Sequence, residues 1–247
     1  MDFDAIRMIW MRDIIRHFRD KVRLLGSITR PVLWLLILGT GLRAAFNVHG
    51  IVYTHFIFPG IIAMNLIFAA MQSTISIIWD REFGFLREIL VAPIPRASIV
   101  LGKALSGSTV AFIEGLFVLL FAPVIKISIP FVNLLMLLPL MFLIAFACTS
   151  FGIVIAARMT SFEGFGVISN FVIMPMFFLS GAMFPIDNLP HWINFIVRLN
   201  PLTYGVDFLR WIILGISTFP LYIDFLSLAA FSFAMLCISV FEFSKRS

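Results

Sequence analysis

Apolar residues recur over the first part of the chain at helical spacing: Phe3, Ile6, Trp10, Ile14, Phe18, Val22 and Leu25. Between them stand Arg7, Arg12, Arg16, Arg19, Lys21 and Arg23. This pattern predicts an amphipathic interfacial helix over residues 1–27, lying at headgroup level with its cations toward anionic lipid. A secretory signal gathers its charge ahead of an apolar core and a small-residue cleavage site, and this segment does not. The apolar runs that follow are long enough to cross about 30 Å of hydrocarbon, which takes about 20 helical residues. They predict six spans, near residues 28–45, 53–79, 99–124, 131–157, 162–183 and 221–243. The expected fold is an all-α membrane protein: one transmembrane domain over residues 1–247.

Two polar interruptions shape this picture. Between the second and third spans lies a dense charged island, Asp80-Arg81-Glu82 through Arg87-Glu88 and on to Pro93. Leu86, Ile89 and Leu90 fall at helical spacing within it, so the island predicts a short helix outside the lipid over residues 80–95. Pro93 and Pro95 end that helix. Between the fifth and sixth spans, residues 184–219 are long enough to cross the membrane. They carry Asp187, Arg198, Asp207 and Arg210, and are broken by prolines. Each charge near the bilayer centre would cost up to about 3 kcal/mol, and lipid cannot replace hydrogen bonds that proline removes. The segment therefore predicts a re-entrant helical structure that returns to the side it left. Asn200-Pro201 marks a helix start there, with Asn as the cap and Pro in the first turn. Asp207 and Arg210, three residues apart on that helix, are placed to pair with each other.

Composition agrees with the membrane reading. The chain is 61% hydrophobic and 13% charged, with 29 Phe and a mean hydropathy of +1.06. Cys148 and Cys237 both fall in apolar runs, without metal-ligand spacing, and read as small apolar fillers. The net charge of +5 is a matter of orientation and not of nucleic-acid binding. Fourteen of the 18 Lys and Arg fall on one side of the six-span arrangement, and four on the other. The fourteen include seven in the N-terminal flank up to Arg30. The positive-inside rule then places both termini and the island in the cytoplasm of a multi-pass protein of the cell membrane.

No segment reads as catalytic. Gly102-Lys103 superficially resembles a phosphate-binding loop, but Ala97 stands where the first Gly is needed and Ala104 where Ser or Thr is needed. The four histidines are scattered, and no metal-binding spacing occurs.

Three segments, in this order, carry a family resemblance. They are Tyr53 to Pro59-Gly60, then Asp80 to Pro93, then Leu179-Ser180-Gly181-Ala182-Met183-Phe184-Pro185 continued by Asn200-Pro201-Leu202-Thr203-Tyr204 to Arg210. The chain resembles permeases of the ABC type-2 export family, which export drugs, lipo-oligosaccharides and polysaccharides. The resemblance implies a permease pair, homo- or heterodimeric, that works with two separate ATPase subunits. ATP and Mg would be held by those partners and no cofactor by this chain. It also implies that Asp80, Arg81, Glu82, Leu86, Arg87, Glu88 and Leu90 couple to the ATPase.

Within the spans, Asn65, Gln72 and Ser76 share one helix face, since they are seven and four residues apart. With Asn170 and Phe177 of the fifth span they are the expected translocation path. Interhelical hydrogen bonding is the alternative for each. Phe184, Pro185, Asn200, Pro201, Tyr204, Asp207 and Arg210 are the expected extracytoplasmic gate. Glu114 is the one acid deep in a span, so it needs a partner, a proton or water. A self-sufficient secondary transporter or channel is the rival reading; it calls for several intramembrane acids or inverted repeats, and the sequence offers neither.

Overall fold

The computed structural model of the protein describes residues 2–41, 47–48, 51–84, 94–186 and 189–245. Its elements are α1 (Phe3–Arg19), α2 (Lys21–Gly41), β1 (Asn47–Val48), β2 (Ile51–Val52), α3 (Tyr53–Glu82), α4 (Arg96–Leu119), α5 (Phe131–Arg158), α6 (Phe162–Phe178), α7 (His191–Leu199), α8 (Pro201–Leu214) and α9 (Leu221–Lys245). The two strands form a minimal antiparallel pair, Asn47 opposite Val52. Everything else of regular structure is helix.

Proline sets several of the boundaries. Pro95, Pro130 and Pro190 directly precede α4, α5 and α7 in extended conformation, which suits a residue that lacks an N–H and has a fixed φ. α8 starts as its sequence predicts: the Asn200 side chain accepts from Leu202 N at 3.1 Å. Asp2 and Ser161 cap α1 and α6 by accepting from Ala5 N and Gly164 N, each at 3.1 Å.

Among the described residues, four helices are long and apolar enough to cross a membrane: α3, α4, α5 and α9. They fall where the second, third, fourth and sixth spans are expected. The other two expected spans come out differently. α2 begins seven residues before residue 28, and joins α1 through Asp20 at a bend of 85°. The two form a bent pair in which only together they meet the length and apolarity of a span. α6 stops at Phe178 after 17 residues, about 25 Å at 1.5 Å per residue. It stops because Gly181 takes a left-handed φ of 73° and turns the chain.

α3 is the central helix, and α2, α4, α5, α6 and α8 all pack on it. Phe58, Ile62, Leu66, Ile67, Ala70 and Ile77 are fully buried along it, as expected of an interior helix. Close packing runs through small residues, as is usual between membrane helices. A Cβ on Gly107 of α4 would stand 2.4 Å from Ser73 Oγ and 2.6 Å from Thr149 Cγ2. α9 lies at the edge, where Phe225, Phe233 and Phe241 are exposed, as lipid contact requires.

The loop after α6 closes on the first turns of α3. A Cβ on Gly60 would stand 2.6 Å from the Ala182 carbonyl oxygen, and Tyr53 Oη donates to the Met183 carbonyl at 3.0 Å. Pro59-Gly60 and Gly181-Ala182-Met183 are thus two halves of one contact. Gly60→Val must displace backbone there. It is expected to destabilise the protein by about 1–3 kcal/mol, the usual cost of overpacking. A lowered thermal midpoint of the purified protein checks this; an unchanged midpoint would mean that the contact is absent.

Candidate functional site

At the end of the bundle where α3 finishes, five charges from three helices converge. Asp80 is 4% exposed, which without partners would be very costly. Lys103 of α4 donates from Nζ to Asp80 Oδ2 at 2.6 Å and stands 2.8 Å from Asp13 Oδ2 of α1. It also donates to Ser76 Oγ at 3.2 Å. Arg12 Nη2 bridges the same two acids, 2.7 Å from Asp13 Oδ1 and 2.8 Å from Asp80 Oδ2. Arg16 reaches Asp80 Oδ1 at 3.7 Å and lies over the Trp79 ring. Burial works against the Asp13 carboxylate, but Lys103 and Arg12 outweigh it and hold the group below its ordinary value of 3.8. The result is an ion network in which Asp13, Asp80, Lys103 and Arg12 are each met by at least two opposite charges.

This changes the reading of α1. Its buried residues are Ala5, Ile9 and His17, while Phe3 and Phe18 are exposed. Ile9 sits against Gly102, and Trp10 Nε1 donates to Thr109 Oγ1 at 3.1 Å. Arg12 and Arg16, expected to face lipid, turn inward to Asp80. His17 Nε2 stands 3.2 Å from Glu114 Oε1 with both side chains buried. The contact is close but off the line of a hydrogen bond. Glu114 thereby has its partner.

The expected coupling residues divide. The Asp80 carboxylate faces inward and ties α3 to α1 and α4. The Arg81 guanidinium donates to the carbonyls of Met159 and of Ala157, the latter at 3.0 Å. It satisfies carbonyls that the end of α5 leaves open. Glu82 is exposed. Leu86, Arg87, Glu88 and Leu90 lie outside the described residues.

The expected path residues line three cavities along α3. The first, about 410 Å³ between α2, α3 and α6, has Gln72, Asn170 and Phe177 on its walls. The second, about 420 Å³ between α1, α3 and α4, has Ser76, with Asp13, Arg16 and His17. The third, about 200 Å³, holds Asn65, Gln72 and Glu114. The single helix face foreseen for Asn65, Gln72 and Ser76 is thus a stripe of cavity wall. Arg30 of α2 lines the first and third cavities.

At the opposite end, the expected gate residues are held mostly by side chain to backbone contacts. Asn200 Nδ2 donates to the Met176 carbonyl at 2.6 Å, and Tyr204 Oη to the Arg198 carbonyl at 2.7 Å. Asp207 and Arg210 are both buried, and the expected pairing between them gives way to other partners. Asp207 accepts from Thr218 N at 3.0 and 2.9 Å and from Phe219 N at 2.9 Å. Arg210 Nη2 donates to the Gly181 carbonyl at 2.6 Å, with its guanidinium 4.2 Å from the Phe56 ring centre. Phe184, Pro185 and Pro201 are half-buried beside them. Asp187 lies outside the described residues. Among the described residues, no group of three or more His, Cys, Asp or Glu is placed to hold a metal.

Residues 4–214 match the family described as ABC-2 type transporter. The chain belongs to that family. It is 35% identical over 208 residues to the putative transport permease ycf38 of Cyanophora paradoxa, covering 81% of this chain and 71% of that one. It is 32% identical over 211 residues to nodulation protein J of Rhizobium leguminosarum bv. trifolii, covering 84% and 80%. It is 29% identical over 248 aligned positions to the inner membrane transport permease YadH of Escherichia coli K12, covering 96% and 94%. The protein is therefore a multi-pass membrane subunit of the transport-permease kind. Two of these relatives are named transport permeases, and the family is the one that the sequence resembles at Pro59-Gly60, the charged island and the Leu179–Arg210 segment.

Sequence reading missed Arg12, Asp13, Lys103 and Arg30 as site residues. For Lys103 a signal was present: a lysine eight positions into an otherwise apolar helix has to be neutralised by an acid from another helix.

Lys103→Met leaves Asp13 and Asp80 buried with fewer cations. It is expected to cost about 3–5 kcal/mol, as removal of one member of a buried pair does. Asp13 adds a pH signature. A carboxyl held low contributes stability that is complete above its ordinary value of 3.8 and is lost as pH falls through its folded value. Thermal midpoints should drop in acid below about pH 4 and less steeply in Asp13→Asn. Identical acid limbs in the two proteins would remove Asp13 from the network.

Proposed function

We propose that this chain is the membrane subunit of an ATP-driven exporter of the ABC type-2 kind. Two permeases, either two copies of this chain or one with a similar chain, form the path at their interface, and two separate ATPase subunits drive it. ATP and Mg are bound by the ATPases and not by this chain. The substrate is amphipathic, lipid-linked or drug-like. The protein sits in the cell (inner) membrane with both termini cytoplasmic and six crossings. α1 is the interfacial helix, and α7 and α8 form the re-entrant extracytoplasmic gate.

The observation that carries this reading is the ion network around Lys103. Residues 85–93 connect the end of α3 to α4. Both of those helix ends are tied through Asp80 and Lys103 to each other and to α1. A force applied to the connecting segment from outside the membrane is then passed to three helices at once. Two of them, α3 and α4, line the second and third cavities. Arg87 and Glu88 supply the charged surface on which an ATPase can push, and cavity-lining Gln72 and Asn170 supply polar wall for a substrate.

The decisive experiment reverses both charges, Arg87→Glu with Glu88→Arg. Rim charges steer and hold such contacts, so the variant should insert normally but lose at least tenfold of the ATP hydrolysis that co-purifies with it. Normal assembly with normal ATP turnover would sink the coupling assignment. The gate carries its own test: single cysteines at Asn188 and Ser217 should both react with an impermeant thiol reagent from outside intact cells. Labelling of one from outside and the other only from the cytoplasm would establish an additional crossing.

A further inference from the structure

Arg30 stands ten positions into α2, about 13 Å along the helix from Lys21 at 1.5 Å per residue. Arg30 is exposed, so its guanidinium is open to a ligand that enters either of the two cavities it lines. Among the described residues no carboxylate lies within ion-pair distance of it. The Phe68 ring stands 4.9 Å from its guanidinium carbon. That ring attraction is worth about 0.5–2 kcal/mol and leaves the guanidinium N–H groups free to donate in its plane.

Arg30, Phe68 and Gln72 are shared by the first and third cavities. On the first side the walls are aromatic and thioether: Trp34, Phe165, Phe177, Met64 and Met71. Ser169, 6% exposed, lines that space, and its Oγ is buried without a hydrogen-bond partner. On the other side Asn65 Nδ2, on a residue 4% exposed, is likewise without one. Both atoms belong to residues that line a cavity shared with Arg30. Glu114 closes the far wall of the smaller cavity, offset by His17, and keeps a negative ligand group at the Arg30 junction.

We propose that this junction binds an amphipathic organic anion. Its acidic group, phosphate or carboxylate, pairs with Arg30 and accepts from Gln72. Its apolar body fills the aromatic cavity, whose volume of about 410 Å³ falls within the 300–1,000 Å³ of ordinary ligand pockets. This narrows the substrate class and rests on reading the cavity as part of the export path.

The test uses the purified full-length permease without ATP and two fluorescent probes of one aromatic skeleton. Anilinonaphthalene sulfonate carries the anion, and phenylnaphthylamine lacks it. Arg30→Gln should weaken sulfonate binding at least tenfold and leave phenylnaphthylamine within twofold, and Arg30→Lys should keep most of the sulfonate binding. Dodecyl phosphate and dodecanoate are then set to displace the sulfonate from the native protein. Displacement by either supports the site, and their order identifies the preferred acidic group. Sulfonate binding unchanged in Arg30→Gln, equal loss of both probes, or displacement by neither anion would overturn it. Because the readout needs no ATP, these failures count against the anion site alone. Failure of an ATPase to co-purify with the native chain counts against the exporter reading alone.

Discussion

A lysine ammonium taken out of water has to be met by carboxylates, and Asp13 and Asp80 meet Lys103 from two different helices. Most of the arrangement at that end of the bundle follows from this requirement. Lys103 is 4% exposed, so α1 and the last turn of α3 cannot drift from α4 without stranding a charge. Arg12 repeats the constraint from the other direction by bridging the same two acids. A buried network of this kind gives little net stability compared with a well-packed apolar core of the same volume. What it gives is a fixed register between three helices that apolar contact alone, being non-directional, would leave free to slide.

The opposite end is built on another principle. There the polar side chains Tyr53, Asn200, Thr203, Tyr204 and Arg210 donate to backbone carbonyls, and Asp207 accepts from backbone N–H groups. Each contact satisfies a backbone group that a turn or a helix end leaves open, which matters where water is scarce. One end is thus tied by charge between helices, and the other by side chains that hold irregular backbone to α3 and α8.

The helices α3, α4, α5 and α9 were legible because long apolar runs and the prolines ahead of α4 and α5 leave little alternative. The end of α6 was not, because Phe178 and Leu179 continue the apolar run while the left-handed turn at Gly181 ends the helix. The site was legible in part. A polar stripe at spacings of seven and four identified Asn65, Gln72 and Ser76 as cavity wall, since helical period alone decides a shared face. The inward turn of Arg12 and Arg16 was hidden, because a basic helix face reads the same whether its anions are lipid phosphates or Asp80. Asp207 and Arg210 show the limit of local pairing rules: three residues apart, each instead meets backbone from another part of the fold. Arg30 escaped because it reads as the last of a run of flanking cations, whereas in the fold it lies against Phe68 and lines two cavities.

The histidine–glutamate contact joins the ion network to the cavities. His17 sits on α1, four residues beyond Asp13, and lines the second cavity; Glu114, its partner, lines the third. Asp13 and His17 therefore lie on one face of α1 and grip α4 at Lys103 and at Glu114. A shift of α1 along α4 cannot relax one contact and keep the other, since both ride on the same rigid helix. Such a shift would reshape the cavity at Ser76 and uncover Glu114 opposite Arg30 in a single step. The position of α1 along α4 and the electrostatics of the cavity wall are therefore linked, with the helix spacing between residues 13 and 17 setting the linkage.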